Sequence, residues 1–281
     1  MDGFAYLDTA RLGMVNMAID HRLLELAEST ERAFLRVYRW SEPTLSLGHF
    51  QSSVERSQHM ASSHAPSVVR RSGGGAIMHH YDWTYSVALP LGHNHVGAAK
   101  HLYDRVHEAL VTGLRSWGWP AEQWSKPCRA DGFGGSGEQE KPSQPFLCFQ
   151  RRSCGDIVCA GHKIVGSAQR RLGKSVLQHG SLLWMASPLA PELVGLANIR
   201  RSLENHDALM RDSAPLPSRK VDKSVTNFDV LGKSMLSWVR TALENHFGFS
   251  PAILPPEVLS MLNIPENEST GSPEVIVHVG R

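Results

Sequence analysis

Cysteine is scarce, with four in 281 residues: Cys128, Cys148, Cys154 and Cys159. That is too few to staple a chain of this length, and no two stand as Cys-x2-Cys. Neither a disulfide framework nor a structural zinc site is expected, no metal site is assigned, and a reducing compartment fits. Long apolar runs are missing too. None approaches the ~20 residues of a membrane helix, and Met1-Asp2-Gly3 leads straight into Phe4-Ala5-Tyr6-Leu7 without a basic stretch. A cytoplasmic protein without membrane contact is therefore expected. Neither charge sign is in excess: Lys and Arg number 29 against 27 Asp and Glu, a formal net charge of +2. That balance gives no electrostatic argument for nucleic acid.

What is present is ordinary globular material, 41% hydrophobic and 20% charged, enough for one large domain with a sizeable core. Strands are predicted at Phe4 to Asp8, Ala33 to Trp40, Thr44 to Gly48 and Asp82 to Pro90. Helical periodicity runs from Asn16 to Thr30, from Ala99 to Trp117 and from Asn227 to Phe247, with Asn227 as N-cap. Ser53 to His64 is expected as a short polar helix, Pro188 to Asn198 as another, and 200–226 as polar connection. Gly, Ser, Pro and charge dominate 128–145, expected to be a disordered surface insertion. The domain is placed at 1–250, with a C-terminal extension and loose tail over 251–281.

Two glycine-bearing stretches carry the chemical interest. In the first, Val68-Val69-Arg70-Arg71-Ser72-Gly73-Gly74-Gly75-Ala76-Ile77-Met78-His79, a strand enters a triple glycine and another apolar run leaves it. Three successive glycines cost conformational entropy that a plain turn does not require. A ligand touching backbone N–H groups would explain them, with Arg70 and Arg71 placed to hold an anion. A flexible hairpin tip is the alternative. The stretch is neither a Walker loop nor GxGxxG. The second runs from Asp156 to Ser181: Ile157-Val158-Cys159 and Lys163-Ile164-Val165 flank Ala160-Gly161-His162, which reads as a hairpin turning at the glycine. Gly166, Ser167 and Ala168 follow, small enough to let something approach the backbone. A second strand begins near Val176 after Gly173-Lys174. Local sequence alone favours a solvated Lys163 and a Cys148 that is a small buried hydrophobe between Leu147 and Phe149. Among the histidines only His79 stands out, because the others lack a ligand spacing.

Taken together these stretches resemble the lipoate-protein ligase A and octanoyltransferase family, whose catalytic domain is related to biotin-protein ligases. The resemblance rests on Tyr38-Arg39-Trp40 with Leu45-Ser46-Leu47-Gly48, Arg70-Arg71-Ser72-Gly73-Gly74-Gly75 with His79, and Thr84-Tyr85-Ser86-Val87. It continues through Gly161-His162-Lys163-Ile164-Val165-Gly166-Ser167-Ala168-Gln169 and Gln178-His179-Gly180-Ser181. It implies an α/β (α+β) biotin/lipoate protein ligase-like fold, a large mixed sheet plus a smaller one flanked by helices. It also implies a tunnel for an eight-carbon acyl chain between the glycine loop and the Lys163 hairpin. There Arg70, Arg71, Gly73, Gly74, Gly75, His79, Gly166, Ser167, Ala168 and His179 would bind substrate. Two departures stand out: His80 and Tyr81 separate His79 from Asp82, where the family pattern sets an aspartate directly after the histidine, and 128–145 is inserted ahead of Cys148.

Cys148-Phe149, fifteen positions before Lys163, resembles the cysteine-dependent octanoyltransferases, in which that cysteine carries the acyl group. The implied chemistry is transfer of an octanoyl group from octanoyl-acyl carrier protein, through a Cys148 thioester, to the lysine of lipoyl domains. The implied recipients are 2-oxoacid dehydrogenase complexes and the glycine cleavage H protein. A free thiol at pH 7 is only about 3% thiolate, and a nearby ammonium such as Lys163 raises that share. No cofactor is expected on this reading. ATP and Mg2+ would enter only if the chain were an ATP-dependent lipoate-protein ligase, with Lys163 on the acyl-adenylate. An octanoyl amidotransferase acting between lipoyl carrier proteins is a further alternative.

Overall fold

The computed structural model describes residues 1–91, 97–125, 145–209 and 227–252. The expected insertion, apart from Pro145, and the expected C-terminal extension and tail, apart from Pro251 and Ala252, lie outside the described residues, as do His93, His95 and Cys128.

Eleven strands are described: β1 (Asp2–Leu7), β2 (Ala33–Tyr38), β3 (Thr44–Leu47), β4 (Ser67–Val69), β5 (Ile77–His79), β6 (Asp82–Pro90), β7 (Ala121–Gln123), β8 (Ile157–Cys159), β9 (His162–Leu172), β10 (Ser175–Leu183) and β11 (Ser250–Ala252). Eight form one mixed sheet in the order β11-β1-β2-β6-β10-β9-β8-β7, and β4-β3-β5 form a small second sheet. In the large sheet β1 is parallel to both neighbours, while the pairs from β2 to β7 are antiparallel. The sheet's middle is covered on both faces, so β2, β6 and β10 are buried almost throughout.

The helices are α1 (Gly13–Thr30), α2 (Ala98–Ser116), α3 (Leu196–Leu209) and α4 (Phe228–Phe247). On one face α1 sets Ile19, Leu23, Leu24 and Ala27 against Phe4, Phe34, Ala88 and Leu177. On the other, α2 and α4 bury Leu102, Val106, Leu110, Met235 and Val239 over Leu35, Tyr85 and Val87. At ~25 cal/mol per Å2 of apolar surface, these two layers supply the bulk of the driving force for folding. A third apolar cluster joins the small sheet (Leu45, Leu47, Met78) to Phe146, Leu147 and Phe149, so the Cys148 segment is anchored by its apolar neighbours.

Three local expectations change. Residues 53–64 form two short 3-10 helices, Ser53–Gln58 and Met60–Ser62, with Ser52 and Glu55 closing a capping box on the first. The helix expected at 188–198 is α3, which starts at Leu196 and runs into the presumed connection. Pro188 and Pro191 favour turns, whereas Leu196 and Ile199 are buried on the core. β4 and β5 are not a hairpin: both flank β3, the first parallel and the second antiparallel, so the triple glycine is a crossover.

Candidate active site

The glycine crossover is held by Arg70. Its buried guanidinium donates from Nη1 to Ser46 O (2.7 Å) and Oγ (2.6 Å), and from Nη2 to Gly75 O (2.9 Å) and Gly73 O (3.3 Å). Burial lowers the Arg70 pKa to about 10, with the Cys148 and Tyr38 side chains pulling the other way; it stays a cation at neutral pH. The loop has no room for side chains at key points: a Cβ on Gly48 would strike the Gly74 carbonyl, and one on Gly75 would lie 3.2 Å from Cys148 Cα. Gly74 also sits at φ +95°, where glycine is unstrained. These contacts account for Gly74 and Gly75 without a ligand, whereas a Cβ on Gly73 would meet only the Phe50 ring, at 3.9 Å.

Cys148 is laid against that loop by its backbone. Ala76 N donates to Phe146 O (3.1 Å) and Cys148 N to Ala76 O (2.7 Å), after which a 3-10 turn, Cys148–Gln150, carries the chain away. Lys163, the second residue of β9, reaches back: its Nζ lies 3.7 Å from Cys148 Sγ, 3.3 Å from Cys148 O and 2.8 Å from Asp156 Oδ2. It is 6% exposed, so it is not a solvated hairpin lysine. Gly166 is bare because the lysine lies over it; a Cβ there would be 2.7 Å from Lys163 Cε. The other described cysteines differ. Cys154 is exposed, and burial pushes the Cys159 thiol up to about 12.

A narrow cavity of about 40 Å3 opens beside Cys148, lined by Met17, Trp40, Gly73, Ile77, Gly166 and Ala168 among others, with His79 and His179 on its wall. The partners of both histidines fix their tautomers. His79 Nδ1 donates to the Asp82 carboxylate (Oδ2, 2.8 Å), so that in the neutral ring Nε2 accepts from Ser46 Oγ (2.7 Å). Trp40 stacks on the His79 ring with centroids 3.8 Å apart, and burial keeps the imidazole below its ordinary pKa. Asp82 thus meets His79 although two residues intervene. His179 Nδ1 donates to Asp20 Oδ2 (3.2 Å) and Nε2 takes the Ser72 hydroxyl at 2.5 Å. Asp20 is also bound by Arg36 (3.1 Å) and Tyr38 (2.8 Å). Burial alone would raise its pKa; the His179 bond and the Arg36 charge outweigh that and hold it down.

Of the residues singled out in the sequence, the structure brings together Cys148, Lys163, Arg70, Gly73, Gly74, Gly75, His79, Gly166, Ser167, Ala168 and His179. Arg71 is not with them: it is exposed and lines an adjoining groove with Arg170 and His21. Sequence reasoning missed Asp156, whose only signal was its place at the head of the hairpin. It also missed His107, which is buried on α2. His107 Nδ1 donates to Gly155 O (2.7 Å), leaving Nε2 to accept from Ser167 Oγ (2.6 Å), and Tyr85 OH donates to the same serine at 2.7 Å.

The mixed sheet, the small sheet and a cysteine and lysine meeting beside an apolar cavity define the class. The chain belongs to the lipoyl protein ligase A/B catalytic domain family, whose model matches residues 13–248. More particularly, it is 40% identical over 172 residues to octanoyltransferase LipM of Moorella thermoacetica, a match covering 60% of each chain. It is 33% identical over 224 residues to octanoyltransferase LipM of Kyrpidia tusciae, covering 75% of this chain and 79% of that one. Among solved structures, an ATP-bound lipoate-protein ligase A superposes with TM-score 0.58 at 18% identity, over 94% of this chain and 93% of that one. A bi-partite lipoate protein ligase of Thermoplasma acidophilum gives 0.57 at 16%, over 94% and 91%. These likenesses establish the lipoate-protein ligase-like fold. No described helix is long and apolar enough to cross a membrane.

Proposed function

We propose that the protein is an octanoyltransferase that takes an octanoyl group from octanoyl-acyl carrier protein onto Cys148 and passes it to the lysine of a lipoyl domain. The observation that carries this reading is the Cys148 sulfur 3.7 Å from the Lys163 ammonium, beside an apolar cavity. In the first half-reaction the Cys148 thiolate attacks the thioester carbonyl, the carbon–sulfur bond to the carrier breaks, and the carrier's sulfur leaves and takes up a proton. One thioester replaces another, so the step is close to balanced. At 3.7 Å an ammonium stabilises a thiolate by about 4 kcal/mol at an effective dielectric near 20, before the opposing charge of Asp156 is counted. In the second half-reaction a neutral ε-amine attacks the acyl-cysteine, the amine loses a proton, and Cys148 leaves as thiolate; the product is an amide. Chain length would be read by the cavity, at about 0.8 kcal/mol per buried CH2.

An ATP-dependent ligase is less well served by this pocket. Both Nη groups of Arg70 are committed to loop oxygens, so Arg70 is not at hand for a triphosphate. The test is reconstitution with octanoyl-acyl carrier protein and an apo lipoyl domain, with lipoyl domains of 2-oxoacid dehydrogenases and H protein compared as recipients. Octanoylation of the recipient lysine without ATP is expected. Modification that requires ATP and free octanoate or lipoate would replace this reading with the ligase.

A further inference from the structure

The structure assigns Asp156 as the positioning residue of Lys163, the group that aims the lysine at Cys148. An ammonium has three N–H donors, and Lys163 has three acceptors in reach: Asp156 Oδ2 at 2.8 Å, Cys148 O at 3.3 Å and Cys148 Sγ at 3.7 Å. Two short legs of this tripod are fixed protein groups; the third points at the sulfur. A four-carbon side chain with free rotors would not hold that direction unaided. The stem lies across the bare backbone of Gly166, where a Cβ would come within 2.7 Å of Lys163 Cε.

Asp156 is built to be immobile. Its Oδ2 accepts Ser153 N at 2.6 Å, its Oδ1 faces Tyr103 OH at 3.4 Å, and its side chain is 3% exposed. Its backbone is held as well: Asp156 N donates to Ser153 O (3.0 Å) and Trp124 N to Asp156 O (2.7 Å). The carboxylate therefore sits where strand β8 begins, tied to Ser153, Trp124 and α2, while the lysine hangs from β9. Together with the Cys148 carbonyl it converts a flexible cation into a fixed one, and misplacement by 1 Å at a reacting centre can cost about 100-fold in rate.

This role rests on Cys148 being the acylated residue, and a double-mutant cycle tests it. Acyl transfer and the rate of Cys148 alkylation by iodoacetamide, located by mass, are measured for Asp156→Ala with Lys163 present and in Lys163→Ala. With Lys163 present, Asp156→Ala is expected to slow transfer about 100-fold and to change the alkylation rate. In Lys163→Ala the same substitution should alter either rate less than about 2-fold, because there is no lysine left to aim. Asp156→Asn, which keeps an acceptor at the same place, should recover part of the loss, and it carries the comparison if the alanine protein fails to melt cooperatively. Equal losses in both backgrounds, or no loss with Lys163 present, would overturn the assignment. The alkylation cycle reads the aspartate and lysine without any acyl donor, so a protein that transfers no octanoyl group leaves this test intact.

Discussion

Burial holds the His107 imidazole down to about 4, against its ordinary 6.5. From pH 6.5 to about 4 the unfolded chain takes up a proton at this residue that the folded chain refuses, so stability falls as the pH falls through that window and levels off below it. The effect is worth roughly 3 kcal/mol at most. His107→Gln should therefore lose its share of the acid sensitivity, seen as a flatter plot of unfolding free energy between pH 6.5 and 4. An unchanged slope would mean that His107 takes up its proton at the same pH in the folded and unfolded chain. His79 is depressed by burial in the same direction, so some slope will remain in the variant. Neither His107 nor Asp156 was legible in the sequence, because nothing local distinguishes them. His107 gains its role from Ser167, sixty positions away, and Asp156 from a lysine on the next strand. Cys148 and Lys163 were legible only through the pattern of motifs around them, since a cysteine between apolar residues and a lysine in a hairpin are common.

At the scale of elements, the β8–β9 turn shows what local sequence does specify. Ala160 and Gly161 both take positive φ, 46° and 79°, the pairing that suits the right-handed twist of a two-residue hairpin. The left-handed conformation costs an alanine about 1 kcal/mol. Ala160→Asn, which produces Asn-Gly, should stabilise the protein by roughly 0.5–1 kcal/mol in denaturant unfolding with acyl transfer unchanged. Destabilisation would show that the turn is held by something other than its own backbone preference. Hairpins and amphipathic helices such as α2 and α4 were readable because their signals lie within a few residues. Asn227 does cap α4, its side chain accepting from Asp229 N at 2.9 Å. The crossover of β4 and β5 around β3 was not readable, because pairing partners across an intervening strand leave no short-range mark. The three-residue strands β7 and β11 were likewise invisible: they are strands only because β8 and β1 offer open edges.

For the whole molecule, the sheet order explains why residues from four separate stretches converge. β6, β10, β9 and β8 lie side by side, so Asp82 at the head of β6, His179 on β10, Lys163 on β9 and Asp156 before β8 lie along one part of the sheet, with His79 at the end of β5 bonded to Asp82. The small sheet then brings the glycine crossover and Cys148 over them. If Cys148 carries the octanoyl group as a thioester, intact-mass analysis will show it. The protein is mixed with octanoyl-acyl carrier protein without ATP, and its mass is read before and after hydroxylamine, which cleaves thioesters. One octanoyl adduct is expected on the wild-type chain, removed by hydroxylamine and absent from Cys148→Ala, which also loses transfer. No adduct on the wild type without ATP, or an adduct of the same yield on Cys148→Ala, would contradict it.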